Sequence, residues 1–369
     1  MTRLVPLVAA ISALTMAACG SGAAPGPAST APSVAPATAS AKPAGSAGAA
    51  SGAASAKPAA SAAANVPASA KPAASGLTKV KAAYSQTSAV QGEMYVAVDL
   101  GIFAKHGIDI DLTQVAGTAQ VPAMVAGELQ FGTPGGNELV NSILGGAPIV
   151  AIGVNSNYPM LSLYGGKGVT DLKDVVGKSV AVTSAGSTTD AGAHVFLKHF
   201  GLDKQVKYQA AQTNEGVLAV LQRGDAAAGV FSPPTTIIAS NAGLKELVNG
   251  PELGDPFVHA AISVTRDYLK ANPDTVKRFM EAYLEGWAYA INPANADQMT
   301  KTIAKWTKSD EATAKASYDY VLKGWSKDKV PAVSEKGMET VMSIVDNPKV
   351  ASAKPSDFYD NSLINSLAK

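Results

Sequence analysis

The sequence predicts an α/β fold with two lobes, followed by helices at the C-terminus. Between residues 77 and 165, segments with the apolar spacing of strands alternate with segments that have helical spacing. The alternation starts again at residue 166 and runs to residue 258. Such alternation is typical of sheets that carry helices on both faces. We therefore expect one lobe in residues 77–165, a second in 166–258, and a return to the first lobe with the C-terminal helices in 259–369.

The first lobe should begin with a strand and a helix. TKVKAAYSQ predicts the strand, and QGEMYVAVDLGIFAKHGI has apolar residues at helical spacing. IDIDLTQV alternates strictly between apolar and polar residues, which predicts a second strand. The remaining elements are a short helix in VPAMVAGELQF, a turn and helix in FGTPGGNELVNSILGG, and a buried strand in PIVAIGVN.

The second lobe has the same alternation of strands and helices, and the chain then returns to the first lobe. Strand and helix segments follow one another in GKSVAVTS, TTDAGAHVFLKHFGL, VKYQAA, TNEGVLAVLQRG, AAAGVFS and TTIIASNAG. VHAAISVTRDYL predicts a strand that returns to the first lobe, and TVKRFMEAYLEGWAYAINP predicts a long amphipathic helix. We expect the crossing segments, and therefore the hinge, near Leu163–Gly166 and Ala260–Val264.

The N-terminal residues predict export and a lipid anchor. Arg3 precedes a short apolar run, and the small residues before Cys19 form a cleavage site of the lipoprotein type. We expect residues 1–19 to be a signal peptide that ends at a lipidated Cys19. Because Cys19 is the only cysteine, disulfides and cysteine catalysis are excluded. Residues 20–76 are rich in Ala, Pro and Ser, lack large apolar side chains, and predict a disordered linker.

The charge of the folded part argues against nucleic-acid binding. The chain has a formal net charge of +1, but residues 1–76 contribute basic residues only. Without them, residues 77–369 contain 26 basic and 29 acidic residues. A slightly acidic domain lacks the basic surface that nucleic-acid binding needs.

Several motifs, in order, resemble those of the solute-binding proteins of ABC importers. These motifs are EMYVAVDLGIFAKHGIDIDL, MVAGELQFGTPG, GAPIVAIG, LKDVVGKSVAVTSAGSTTD and LKANPDTVKRFMEAYLEGWAYAINP. The likeness covers roughly residues 78–310 and is to the group that binds nitrate, sulfonates, taurine and pyrimidine precursors of thiamine. It implies a two-lobed type II periplasmic-binding-protein fold, with the solute held in the cleft between lobes at the carboxyl ends of the strands. It also implies an ABC permease and an ATPase as partners.

Polar and glycine-rich loops after the predicted strands should converge on this cleft. Helix starts there offer free backbone N–H groups, hydroxyls add neutral donors, and glycines allow close approach of a ligand. Ser187, Thr188 and Thr189 precede one helix and exceed what capping alone requires. The candidate ligand-binding residues are Ser85, Gln86, Ser88, Gly117, Thr118, Gly135, Gly136, Asn137, Ser187, Thr188, Thr189, Phe231 and Ser232.

These observations favour a binding protein over an enzyme. We expect an exported, monomeric, lipid-anchored protein that captures a small organic solute of the sulfonate, carboxylate or pyrimidine type and passes it to the permease, with no metal or other cofactor. The sequence contains no phosphate-binding loop of the ATPase type and no zinc-protease motif. A ligand-sensing module for a membrane partner remains an alternative, as does an enzyme like pyrimidine synthase. The identity and charge of the ligand stay open, as does the choice of membrane.

Overall fold

The computed structural model describes residues 76–369, which form two five-stranded sheets with helices around them. The predicted signal peptide, Cys19 and nearly all of the predicted linker lie outside the described residues. The strands are β1 (Thr78–Tyr84), β2 (Ile108–Gln114), β3 (Phe131–Gly132), β4 (Ile149–Val154), β5 (Ser162–Gly165), β6 (Ser179–Val182), β7 (Lys207–Ala210), β8 (Ala228–Phe231), β9 (Glu246–Asn249) and β10 (Ala261–Thr265).

Helices connect these strands and make up most of the C-terminal third. The α-helices are α1 (Gly92–Asp99), α2 (Ile102–Lys105), α3 (Gly117–Val125), α4 (Gly136–Leu144), α5 (Thr188–His199), α6 (Asn214–Arg223), α7 (Thr235–Asn241), α8 (Gly250–Leu253), α9 (Arg266–Ala271), α10 (Pro273–Ile291), α11 (Ala296–Thr307), α12 (Glu311–Trp325), α13 (Glu335–Met342) and α14 (Ser362–Leu367). Within the described part of the chain, no helix combines the length and the apolar character that a membrane span requires.

The two sheets share one design. The first has the strand order β2-β1-β3-β10-β4, in which β1 runs parallel to both β2 and β3 while β10 runs antiparallel to β3 and β4. The second has the order β7-β6-β8-β5-β9, in which β6 runs parallel to β7 and β8 while β5 runs antiparallel to β8 and β9. The parallel strands of each sheet therefore end at one edge, which is where the loops predicted to bind ligand begin.

The crossing segments lie beside the predicted ones rather than on them. Residues predicted near Leu163–Gly166 form β5, which is hydrogen-bonded between β8 and β9 inside the second sheet. Of the residues predicted near Ala260–Val264, Ala260 lies at the end of a crossing segment and the others lie in β10, inside the first sheet. The chain passes between the sheets in residues 155–161 and 250–260. The prediction was wrong because β5 and β9 have four residues each, which is too short for a clear strand pattern in the sequence.

Long C-terminal helices complete the first lobe. The ring of Phe279 in α10 stacks on Phe131 of β3, with the centroids 3.7 Å apart. The hydroxyl of Tyr283, one turn further along, donates a hydrogen bond of 3.0 Å to the carbonyl of Val154 at the end of β4. These contacts bury the apolar face of the amphipathic helix that the sequence predicted, and they hold the strand ends that frame the cavity.

Candidate ligand-binding site

A cavity of about 90 Å³ lies between the two sheets, where the loops after the parallel strands meet. From the first sheet, the loops after β1, β2 and β3 contribute wall residues, and from the second sheet the loops after β6, β7 and β8 do so. Open α/β sheets bind ligands at this edge because the adjoining helices begin there and direct their free N–H groups toward it.

Most of the predicted residues lie together in the cavity wall. They are Ser85, Gln86, Ser88, Gly117, Thr118, Ser187, Thr188, Thr189 and Ser232. Sequence reasoning did not select the other wall residues, which are Val90, Gln91, Ala116, Glu138, Leu161, Thr183, Ser184, Gln212, Asn214 and His259. Gln212 and Asn214 follow β7 in the stretch QTNEG, so the strand-end rule applied to that strand would have found them. His259 lies in a crossing segment and carries no such signal.

The remaining predicted residues lie outside the cavity wall, for reasons that the structure makes plain. The backbone N–H of Gly135 donates a hydrogen bond to Glu138. Gly136 packs so closely on Val258 that a side chain would clash with it. Asn137 hydrogen-bonds to the opposite lobe. Phe231 is fully buried and stacks on the ring of Tyr164, with the centroids 5.2 Å apart.

The turn that begins α5 uses most of its hydroxyl groups internally. Ser187 Oγ donates to the carbonyl of Ser184 at 2.7 Å and accepts from the backbone N–H of Asp190 at 3.3 Å, as an N-cap does. Thr189 Oγ1 accepts from the backbone N–H of Thr183 at 2.9 Å. Thr188 also lies on the wall, and none of these bonds uses its hydroxyl. The backbone N–H groups of Thr188 and Thr189, the first two of the helix, have no carbonyl one turn earlier to bond to.

Glu138 is a buried carboxyl group in the wall. Its Oε2 accepts a hydrogen bond of 2.6 Å from the backbone N–H of Gly135, which caps α4. The carboxyl group also packs directly against Gly117, the first residue of α3, where a side chain would clash with both carboxyl oxygens. Burial raises the pKa of Glu138 to about 7, although the Gly135 hydrogen bond opposes this.

The rest of the wall is neutral. Burial lowers the pKa of His259 to about 3, and its Nδ1 accepts a hydrogen bond of 3.3 Å from the backbone N–H of Met160. Among residues 76–369, neither lysine nor arginine lines the cavity. The buried amide oxygens of Gln91 and Asn214 have no hydrogen-bond partner in the described part of the chain. Buried polar groups are almost always paired, so these two wall residues are exceptions to the rule.

Direct hydrogen bonds join the two lobes at two places. At the first, Asn137 Nδ2 donates to the carbonyl oxygens of Gly186 at 2.6 Å and Ser187 at 3.3 Å. At the second, Ser88 Oγ and the backbone N–H of Ala89 donate to the carbonyl of Pro233 at 2.7 and 3.0 Å. These hydrogen bonds hold the two lobes against each other around the cavity.

Comparisons with known proteins identify a matching family and relatives of this chain. A family model described as "NMT1/THI5 like" matches residues 89–296. A protein of Brucella abortus, described as a candidate binding protein, is 31% identical over 224 residues, which cover 59% of this chain and 68% of that protein.

Solved structures with low sequence identity share the fold. The periplasmic nitrate-binding protein of Synechocystis PCC 6803 matches with a TM-score of 0.62 and 14% identity, over 79% of this chain and 88% of that one. The periplasmic aliphatic sulphonate-binding protein of Escherichia coli matches with a TM-score of 0.56 and 17% identity, over 66% and 83%. The architecture is therefore the two-lobed periplasmic-binding-protein fold, as predicted.

Proposed function

The chain belongs to the NMT1/THI5-like family, and we propose that it captures a small organic solute between its lobes and delivers it to an ABC permease. The observation that carries this proposal is the polar cavity at the joined strand ends of two sheets. A wall of hydroxyl and amide groups that is divided between two lobes suits reversible capture of a solute. We assign no chemical reaction to the site.

The proposed solute belongs to the sulfonate, carboxylate or pyrimidine type. Neutral hydroxyl and amide donors, together with the free N–H groups at the start of α5, suit oxygen or ring-nitrogen acceptors. Of the structural neighbours named above, the sulphonate-binding protein of Escherichia coli supports the sulfonate class. With the lobes as they stand, a volume of about 90 Å³ is smaller than the engineered cavity of about 150 Å³ that takes benzene. Solutes of few non-hydrogen atoms fit this arrangement, and larger ones require the lobes to move apart.

Delivery to a permease requires the protein to stand outside the membrane. We propose that the protein is exported, acts as a monomer and is held at a bacterial membrane by lipid on Cys19. The basis for the anchor is the sequence alone, since a short apolar run and small residues precede Cys19. Metabolic labelling with a tritiated fatty acid tests it, because Cys19→Ser should abolish the label while leaving the folded part intact.

A thermal-shift screen of small sulfonates, carboxylates and pyrimidines, followed by calorimetry, tests the proposed function. A solute that binds the folded state raises the melting temperature by mass action. Thr188→Val removes a hydroxyl from the cavity wall while nearly keeping the side-chain volume. We expect binding to be weaker by about fivefold or more, because a lost hydrogen bond costs about 1 kcal/mol or more. Thr170→Val alters an exposed threonine of the second lobe and serves as the matched control. Equal affinity in both variants would contradict the proposed site.

A further inference from the structure

We propose that Glu138 makes the site selective for solutes that present a positively charged or hydrogen-bond-donating nitrogen, an inference that rests on the proposed function. The carboxyl group lies in the cavity wall between the starts of two helices. It therefore acts as a specificity-determining group on the first lobe, facing the donors that the second lobe supplies.

The position of Glu138 changes what the helix starts of the first lobe can bind. The N-termini of α3 and α4 would otherwise attract an anion, because each carries unpaired N–H groups and a partial positive charge. The carboxyl group of Glu138 already takes the Gly135 N–H at 2.6 Å and covers the main chain of Gly117. A carboxylate or sulfonate of a solute at these helix starts would be repelled by the carboxylate of Glu138. An amino group at the same place can donate a hydrogen bond to Glu138.

The remaining wall groups do not offset this carboxyl group. Glu138 and His259 are the titratable side chains of the wall among the described residues, and burial keeps the imidazole neutral by lowering its pKa. No cationic side chain of the described chain reaches the wall to pair with Glu138. The amide side chains of Gln91 and Asn214 line the same wall and are neutral. A solute with a donor nitrogen therefore finds in Glu138 an acceptor that no cation of the described wall neutralises.

The start of α5 constrains where the acidic end of such a solute lies. Thr188 and Glu138 both lie close to Gly135, so an anionic group at the first N–H groups of α5 stands near the carboxyl group. These two negative groups would repel each other. A solute that carries both an acidic group and an amino group avoids this repulsion, because its nitrogen can lie between its own acidic group and Glu138. The geometry therefore favours amino-bearing members of each solute class over their amine-free counterparts.

Matched pairs of probes test this selectivity directly. The pairs are taurine with ethanesulfonate, β-alanine with propionate, and 4-aminopyrimidine with pyrimidine, and the members of each pair differ by one amino group. Calorimetry on the full chain measures each dissociation constant. We expect the amino member of at least one pair to bind tenfold or more tightly than its counterpart.

Two variants separate the role of Glu138 from general effects of charge. Glu138→Gln keeps an amide oxygen that accepts from Gly135, so the cap of α4 survives while the negative charge is lost. We expect it to lose at least tenfold of the preference for the amino member. Glu128→Gln removes the same charge from an exposed position on the first lobe and should leave the preference unchanged.

The possible failures can be told apart. If probes bind but the amine-free members bind equally well, or if Glu138→Gln keeps the preference, then the role assigned to Glu138 is refuted while solute capture stands. If none of the six probes binds, the solute classes of the proposed function are refuted and this inference falls with them. Calorimetry in buffers with different ionisation enthalpies adds a second readout. Taurine and β-alanine carry a protonated amine near pH 7, so their binding should release protons from wild type and fewer from Glu138→Gln. Proton uptake by wild type with either of these two probes would refute the inference.

Discussion

The contact between Asn137 and the opposite lobe should control how often the two lobes close. Asn137 Nδ2 bonds to the carbonyl oxygens of Gly186 and Ser187, and the side chain is only 4% exposed. A hydrogen bond contributes about 1 kcal/mol net, and Asn137→Ala removes both contacts. The substitution also removes the buried Oδ1, which has no partner in the described part of the chain, and this partly offsets the loss. We therefore take about 1 kcal/mol as the net cost to the closed state.

A cost of about 1 kcal/mol lowers the ratio of closed to open molecules about fivefold. The affinity for solute should fall by up to the same factor, although Asn137 does not line the cavity, because solute binding draws on the closed population. Asn141→Ala provides the matched control, since Asn141 lies one turn further along α4 and is exposed.

Spin labels placed on the two lobes measure this ratio without a ligand. Cysteines at the exposed positions Glu128 and Lys204, in a chain with Cys19 replaced, give one distance distribution for each state of the lobes. Asn137→Ala should move population toward the longer distance, and Asn141→Ala should not. The reasoning is refuted if Asn137→Ala gives the wild-type distribution and the wild-type affinity for every solute that binds.

Three further substitutions test the same structure. Gly135→Ala should hold the lobes apart and weaken solute binding tenfold or more, because its side chain would clash with Thr188 Oγ1. Adding Thr188→Ala should bring back the shorter spin-label distance between the lobes, and a failure to do so would contradict the clash. Burial lowers the pKa of His259 to about 3. Below about pH 6.5, His259 therefore becomes protonated in the unfolded chain but stays neutral in the folded one. The free energy of unfolding should fall by about 1.4 kcal/mol per pH unit from pH 6.5 toward pH 3. Chemical denaturation of His259→Gln between pH 7 and pH 5 should show a shallower fall, and equal slopes would contradict this account. Burial raises the pKa of Glu93 to about 8, so the folded state keeps a proton that the unfolded chain releases, and stability falls as the pH rises from 4.5 to 8. The free energy of unfolding of Glu93→Gln, relative to that of wild type, should therefore be higher at pH 7.5 than at pH 5. A difference between the two proteins that does not vary with pH would count against this assignment.

The sequence predicted the order of elements well because apolar periodicity is a local property. The alternation in IDIDLTQV became β2, and the amphipathic stretch after Pro273 became α10. The short strands β5 and β9 were missed. A strand of four residues shows barely two periods of alternation, and its identity depends on the strands beside it. For the same reason the crossing segments were assigned to residues that pair inside the sheets.

The candidate site divides in the same way. Ser85, Thr118 and Ser187 could be selected from the sequence, because a polar loop after a strand is visible in the chain itself. Asn137 looked equivalent to them, yet it bonds to the other lobe. Glu138 follows Asn137 in the first turn of α4, and only the tertiary structure shows that its carboxyl group packs against Gly117 and that the residue lies in the wall.

The sequence by itself determined the alternating strands and helices, the slightly acidic folded part and the loops from which a binding site could be built. Only the tertiary structure decided which of those loops face one another, which residues close the cavity and which charge lies in its wall. The physical reason is that secondary structure follows from neighbours a few residues apart. The cavity depends on contacts such as Asn137 with Gly186 and Ser88 with Pro233, which join residues 49 and 145 positions apart in the chain.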